Sequence, residues 1–187
     1  MDSNKKPGWV TAVAIIGIVL SGFGVMGGIQ ESLTPIMLEA QRAEYEAVIE
    51  EFNNITVDNG EYVSEEDQQI IEMIQSFTKF FEKILNMPEW YLNWLVISGI
   101  ISMLVHGFYL FAAIWLMQLK PYAPRFLAVA LPLSIAFAIT RTTIAVQALD
   151  NMALLMMGGT LIAMVVEIIL LIVLLVKDKS AFKQFEA

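Results

Sequence analysis

Residues 152–176 read MALLMMGGTLIAMVVEIILLIVLLV, an apolar run that a single carboxylate, Glu167, interrupts. A helix needs about 20 apolar residues to cross the ~30 Å hydrocarbon core of a bilayer, and this run is long enough. Three further runs of this kind lie at 9–28, 90–119 and 126–149. They lack the alternation of a membrane β-barrel and therefore predict transmembrane helices. The expected fold class is an all-α integral membrane four-helix bundle.

The composition agrees with a membrane protein. The chain of 187 residues is 57% hydrophobic, and its mean hydropathy of +0.65 is high for a soluble domain. The absence of cysteine excludes disulfides and thiol catalysis. The sequence contains no nucleophile–base set, phosphate loop or metal-spaced group of His, Asp and Glu. We therefore expect no enzyme, no metal, no cofactor and no nucleic-acid partner.

Positive charges occur at three points that four spans would place on one side of the membrane. They are Lys5 and Lys6, then Lys120 and Arg125, then Lys177, Lys179 and Lys183. The positive-inside rule makes that side cytoplasmic, together with both termini. We expect 1–30 to form a cytoplasmic N-terminus and the first span, 31–89 an extracytoplasmic segment, 90–176 the other spans, and 177–187 a cytoplasmic tail.

The segment 31–89 is acidic, with fourteen acids, three bases and a net charge of −11. Its pattern predicts a helical hairpin. Thr34-Pro35 suits a helix start, Asp58-Asn59-Gly60 a turn, and Ser64-Glu65-Glu66-Asp67 a second helix start. The second helix carries an apolar stripe that either packs on the first or docks a partner. The candidate docking residues are Ile70, Ile74, Phe77, Phe81 and Ile84.

Small residues recur at about four-residue spacing in three of the spans. They are Gly17, Ser21, Gly24 and Gly28 in the first span, Ser98 and Ser102 in the second, and Ala130, Ser134 and Ala138 in the third. Rows of this kind let helix backbones approach closely in lipid, where the hydrophobic effect does not drive association. These rows serve packing within the bundle or contacts with another subunit.

Polar side chains inside the spans are candidate functional residues by default. They are His106, Arg141, Gln147 and Glu167. At 1.5 Å of rise per residue, His106 and Glu167 differ by roughly 6 Å in depth, so they can pair if their helices are neighbours. Arg141 lies roughly 10 Å in depth from Glu167. We expect Arg141 to extend outward, toward Asp150 or the lipid headgroups.

The third and fourth spans are joined by a tight turn at Asp150-Asn151, so they should pack antiparallel. That register sets Ser134 level with Glu167 and allows a hydrogen bond between them. Three roles for the polar group stay open: interhelical hydrogen bonding, a proton or cation pathway through His106 and Glu167, and lipid or ligand recognition. The methionines of the last span are typical packing residues rather than soft-metal ligands.

Two short motifs mark helix ends: Lys6-Pro7-Gly8-Trp9-Val10-Thr11 and Leu119-Lys120-Pro121-Tyr122-Ala123. With the glycine-rich first span, they resemble small four-helix proteins of bacterial inner membranes. The resemblance implies a bacterial inner (cytoplasmic) membrane and carries no activity to any residue.

The leading expectation for function is a non-catalytic accessory, assembly or interaction subunit of a larger membrane complex. Its partners would be the lipid bilayer and other membrane-protein subunits or a second copy of itself. One alternative is a small proton- or cation-linked channel or transporter that uses His106 and Glu167. A second alternative is an extracytoplasmic sensor that reads cations through its acidic segment.

Overall fold

The computed structural model of the chain is all-helical over the parts it describes, which are 6–57, 65–150, 153, 157–179 and 182. Side chains are described within 6–52 and from 68 onward in these ranges. The described helices are α1 (Gly8–Val57), α2 (Glu65–Leu85), α3 (Glu89–Met117), α4 (Ala123–Leu149) and α5 (Gly158–Val176). Four of them, α1, α3, α4 and α5, are long and apolar enough to cross a membrane. The predictions of an all-α fold and of a multi-pass membrane protein are confirmed.

Helix α1 is one continuous helix of 50 residues that includes Pro35. The predicted helix start at Thr34-Pro35 is therefore wrong, and the expected boundary after residue 30 falls inside the helix. Pro35 lacks an N–H for the carbonyl of Glu31 and disfavours a helix interior. However, α1 packs on α3 before this point, at Gly28, and on α2 after it, at Arg42 and Tyr45. The Thr34 hydroxyl bonds the carbonyl of Gln30 at 3.0 Å instead of capping a new helix.

At 1.5 Å per residue α1 is about 75 Å long, more than twice the thickness of a hydrocarbon core. Helix α2 runs back along its C-terminal part. Arg42 Nη2 donates to the carbonyl of Leu85 at 3.2 Å, and the rings of Tyr45 and Phe81 stack with centroids 5.4 Å apart. The predicted turn at 58–60 lies outside the described residues, and so does Ser64, where the second helix of the predicted hairpin would begin.

The four membrane-length helices form a closed ring of contacts, in the order α1, α3, α4, α5 and back to α1. One end of the ring encloses a core of fully buried apolar side chains that includes Val10, Tyr109, Leu116, Leu127 and Leu174. Lys6 lies at this end and donates to the carbonyl of Met117 at 2.7 Å. The opposite end encloses a smaller core that contains Tyr91, Leu95, Leu149 and Met157.

The connection between α4 and α5 differs in length from the expected one. Helix α4 ends at Leu149, and the residue that follows it, Asp150, has a φ of 52°. Helix α5 begins at Gly158 rather than near residue 152, and 151, 152 and 154–156 lie outside the described residues. The two helices are still in contact, so their side chains face each other in the membrane-length part.

Candidate functional site

The site begins with a very close approach of α1 and α3. A Cβ atom added at Gly28 would lie 2.7 Å from the carbonyl oxygen of Gly99, and one added at Gly99 would lie 2.5 Å from the carbonyl oxygen of Gly28. Only glycine fits at both positions. The approach brings the Ser102 hydroxyl to 3.2 Å from the carbonyl oxygen of Gly24, so polar groups of the two helices meet at their interface.

The remaining small residues take different places. Gly17 faces Ala113 and Tyr109 of α3. Ser21 is buried and bonds the carbonyl of Gly17 in its own helix at 2.6 Å. Ala130 is buried in the larger core, whereas Ala138 lines a cleft between the helices. The small-residue rows therefore serve helix contact in α1 and α3, and one member of the α4 row leaves open space.

His106 of α3 occupies the space that the missing side chain of Gly24 leaves, because a Cβ atom there would overlap the imidazole ring. Its Nδ1 lies 2.9 Å from the carbonyl oxygen of Ser102. A carbonyl only accepts hydrogen bonds, so Nδ1 carries a proton and donates it. The other ring nitrogen, Nε2, lies 3.4 Å from the hydroxyl oxygen of Ser134 on α4.

Ser134 connects His106 to Glu167. Its hydroxyl lies 2.8 Å from Glu167 Oε1, and both side chains are buried. Ser134 and Glu167 thus lie at the same depth, as predicted. His106 is linked to Glu167 through the serine and does not contact it directly. Three helices, α3, α4 and α5, are joined by this chain of polar side chains.

When the His106 imidazole is neutral and the Glu167 carboxylate is ionised, the two hydrogen bonds of Ser134 cannot both form. One additional proton is needed to complete them. Ser134 has a single hydroxyl proton, and a neutral ring protonated at Nδ1 has only a lone pair at Nε2. If the serine donates to the carboxylate, Nε2 must be protonated to complete the chain; if Glu167 is protonated, the serine donates to Nε2 instead. The arrangement can therefore hold a proton at either end and move it through the serine.

Arg141 points inward, and the expectation that it extends toward Asp150 or the headgroups is wrong. Its Nη1 lies 3.4 Å from Oε2 of Glu31 on α1. Asp150 instead pairs with Lys83 of α2 at 2.9 Å. An inward guanidinium finds a full opposite charge at the same depth, which compensates its burial better than a path past apolar side chains to the surface.

Glu31 is a candidate functional residue that the sequence-based predictions omitted. It is 9% exposed and accepts a hydrogen bond of 2.7 Å from the Ser98 hydroxyl. Its carboxylate thus joins α1 to α3 and α4. The signal that identifies it is the spacing of the α1 row, because Glu31 follows Gly24 and Gly28 on the same helical face. A first span that ends at Gly28, as predicted, leaves Glu31 in the acidic segment.

Three buried polar atoms of the described residues have no hydrogen-bond partner there: Glu31 Oε2, Arg141 Nε and the Tyr109 hydroxyl. The first two belong to the ion pair, which is held by charge rather than by a hydrogen bond. Tyr109 is fully buried and lies within electrostatic range of Glu167. These atoms mark the polar part of the interior between α1, α3, α4 and α5.

A cleft of about 460 Å³ opens beside these groups, between α1 and α5. His106, Ser134 and Arg141 belong to its lining, as does Glu167 on the α5 wall. The α1 wall includes Phe23, Gly24 and Gly27, and the α5 wall includes Gly159, Thr160 and Ile162. Phe23 and Ile162 are 70% and 69% exposed, so they form a rim through which the cleft opens sideways.

The candidate docking residues of α2 divide between two faces. Ile74, Phe81 and Ile84 are partly buried, and Phe81 and Ile84 pack on neighbouring elements. Ile70 and Phe77 are 50% and 52% exposed. Gln147, the remaining polar candidate, is exposed on α4 and does not line the cleft.

No protein-family model, curated protein or solved structure matches this chain.

Proposed function

We propose that this chain is a non-catalytic membrane protein that binds a small amphipathic molecule in the cleft between α1 and α5. The observation that supports this proposal is a cleft of about 460 Å³ whose lining combines apolar side chains with His106, Ser134, Arg141 and Glu167. Ligand sites of proteins have volumes of roughly 300–1,000 Å³ and this mixture of many apolar and few polar groups. Buried ionisable groups within membrane helices are costly, and where they occur they commonly mark a functional site.

We also infer the membrane and the orientation of the chain in it. The chain spans a bacterial inner membrane as a four-helix bundle with both termini in the cytoplasm, and the C-terminal part of α1 and helix α2 lie on the extracytoplasmic side. The resemblance of the helix-end motifs supports the bacterial membrane. The orientation is supported by Lys6, Lys120, Arg125, Lys177 and Lys179, which lie at or next to one set of helix ends.

The test fills the cleft from two glycines whose Cβ positions are open. A Cβ atom added at Gly159 or at Gly27 meets nothing within 4 Å, and both glycines line the cleft. Gly158 and Gly22 have equally open Cβ positions but do not line it. Gly158→Leu is therefore the control for Gly159→Leu on α5, and Gly22→Leu is the control for Gly27→Leu on α1.

The probe is 1-aminoanthracene, a small neutral amphipathic fluorophore, titrated into purified protein in nanodiscs with empty nanodiscs subtracted. Wild type should bind it saturably. Gly159→Leu and Gly27→Leu should weaken binding at least tenfold, while the two control variants should retain it. The proposal is wrong if the probe binds only as it does to empty nanodiscs, or if all four variants bind like wild type.

A second candidate function is that of an accessory or interaction subunit, favoured by the outer face of α2. Ile70, Met73 and Phe77 share one side of this amphipathic helix and are each about half exposed. Such a patch on the part of the protein outside the spans is typical of a contact with another subunit. Purification in mild detergent should then yield a complex that Phe77→Glu dissociates; recovery of a monomer alone would contradict this role.

A further inference from the structure

We infer that the ligand of the cleft is a lipophilic cation, an ammonium or phosphonium group carried on an apolar body, with its charge held by Glu167. This inference rests on the proposed binding function and adds the chemical class of the ligand.

The charge balance leaves Glu167 without a fixed cation. Glu167 is 3% exposed, and no Lys or Arg of the described residues forms an ion pair with it. Arg141 is the basic residue that lines the cleft, and its charge is already matched by Glu31 at 3.4 Å. An unpaired buried carboxylate is costly, so the site favours a positive charge brought from outside or a proton.

The hydrogen bonds among His106, Ser134 and Glu167 indicate where the compensating positive charge would lie. His106, Ser134 and Glu167 are complete only with an additional proton, as their donors and acceptors show. A cation placed against the carboxylate balances its negative charge when that proton is absent. The serine hydroxyl, 2.8 Å from Oε1, then stabilises the ionised carboxylate.

The lining suits an apolar body rather than a hydrated ion. Phe23 and Phe137 line the cleft and offer aromatic rings, which attract organic cations. Gly27 and Gly159 leave space for bulk. The rim at Phe23 and Ile162 opens to the side, so a molecule dissolved in the bilayer reaches the cleft without crossing water. A lipophilic cation meets all of these conditions, whereas a lipophilic anion would face the Glu167 carboxylate.

The test uses two probes of nearly the same shape and opposite charge, tetraphenylphosphonium and tetraphenylborate. Binding to the full chain is measured by calorimetry in nanodiscs of zwitterionic lipid, with empty nanodiscs subtracted. Tetraphenylphosphonium should bind at least tenfold more tightly than tetraphenylborate. Glu167→Gln, which keeps an acceptor for Ser134, should weaken the phosphonium at least tenfold; Glu167→Asp should retain charge selection, and the exposed Glu89→Gln should bind like wild type.

The wild-type comparison of the two probes needs no variant, so the inference can be refuted even if Glu167→Gln does not fold. Equal binding of the two probes, or phosphonium binding unchanged in Glu167→Gln, overturns the cation assignment. If Gly159→Leu and Gly27→Leu still weaken the binding of 1-aminoanthracene in that case, the cleft binds a ligand of another class. If neither probe nor fluorophore depends on the cleft, the proposed function itself fails.

Discussion

The ion pair between Glu31 and Arg141 should be a main determinant of stability, because it joins α1 to α4 inside the membrane-length part. We consider Glu31→Gln, Arg141→Met and the double variant. Gln keeps the acceptor that Ser98 uses, and Met keeps much of the apolar stem of arginine. Each single variant leaves the opposite charge buried without compensation, whereas the double variant removes both charges.

The expected magnitude follows from the geometry. At 3.4 Å between Nη1 and Oε2, the Coulomb attraction is about 5 kcal/mol for an effective dielectric constant of ~20. The desolvation of two ions offsets much of it. Since the Arg141 and Glu31 side chains are 19% and 9% exposed, each single variant should lower the free energy of unfolding by about 2–3 kcal/mol. The double variant should lower it by ~1 kcal/mol or less.

The assay is unfolding in mixed micelles by titration with sodium dodecyl sulfate, followed by tryptophan fluorescence. Glu46→Gln is the matched control on α1, since its ion pair with Arg42 is 4.0 Å long and both side chains are more than half exposed. It should change the unfolding free energy by no more than about 0.5 kcal/mol. If the effects of Glu31→Gln and Arg141→Met simply add in the double variant, the pairing is refuted.

Two further pairs of substitutions test the packing of the helices. Gly24→Ala should lower the free energy of unfolding by about 1–3 kcal/mol, because its Cβ overlaps the His106 ring. Gly27→Ala, whose Cβ meets nothing within 4 Å, should raise it by up to about 1 kcal/mol through helix propensity. Equal effects of the two variants on unfolding in detergent would contradict the contact between Gly24 and His106. Phe81→Ala should lower stability by about 1–2 kcal/mol and speed proteolysis of α2 through loss of its ring stacking. The half-exposed Phe77→Ala should do neither, and identical proteolysis of the two variants would argue against α2 packing on α1.

The spans and part of the site were predictable because they depend on short-range rules. Apolar length identifies the membrane helices. Antiparallel packing of the last two spans about Asp150-Asn151 sets Ser134 level with Glu167, and that contact is present although α5 begins only at Gly158. The Glu31–Arg141 pair depends instead on how far α1 continues. Pro35 indicated a helix boundary by its local preference, and packing on α2 and α3 overrides that preference. With Glu31 outside the predicted span, Arg141 has no visible partner in the sequence, and an outward path is the expectation that follows.

The length of α1 has a mechanical consequence. The helix forms one wall of the cleft at Gly24 and contacts α2 at Tyr45, which is about 32 Å farther along its axis at 1.5 Å per residue. A stiff rod of this kind acts as a lever: a tilt of ~5° near Gly24 moves the Tyr45 end by ~3 Å. Pro35, with its missing hydrogen bond, is the point where such a lever bends most easily. As long as α1 stays straight at Pro35, a displacement of α2 changes the width of the cleft.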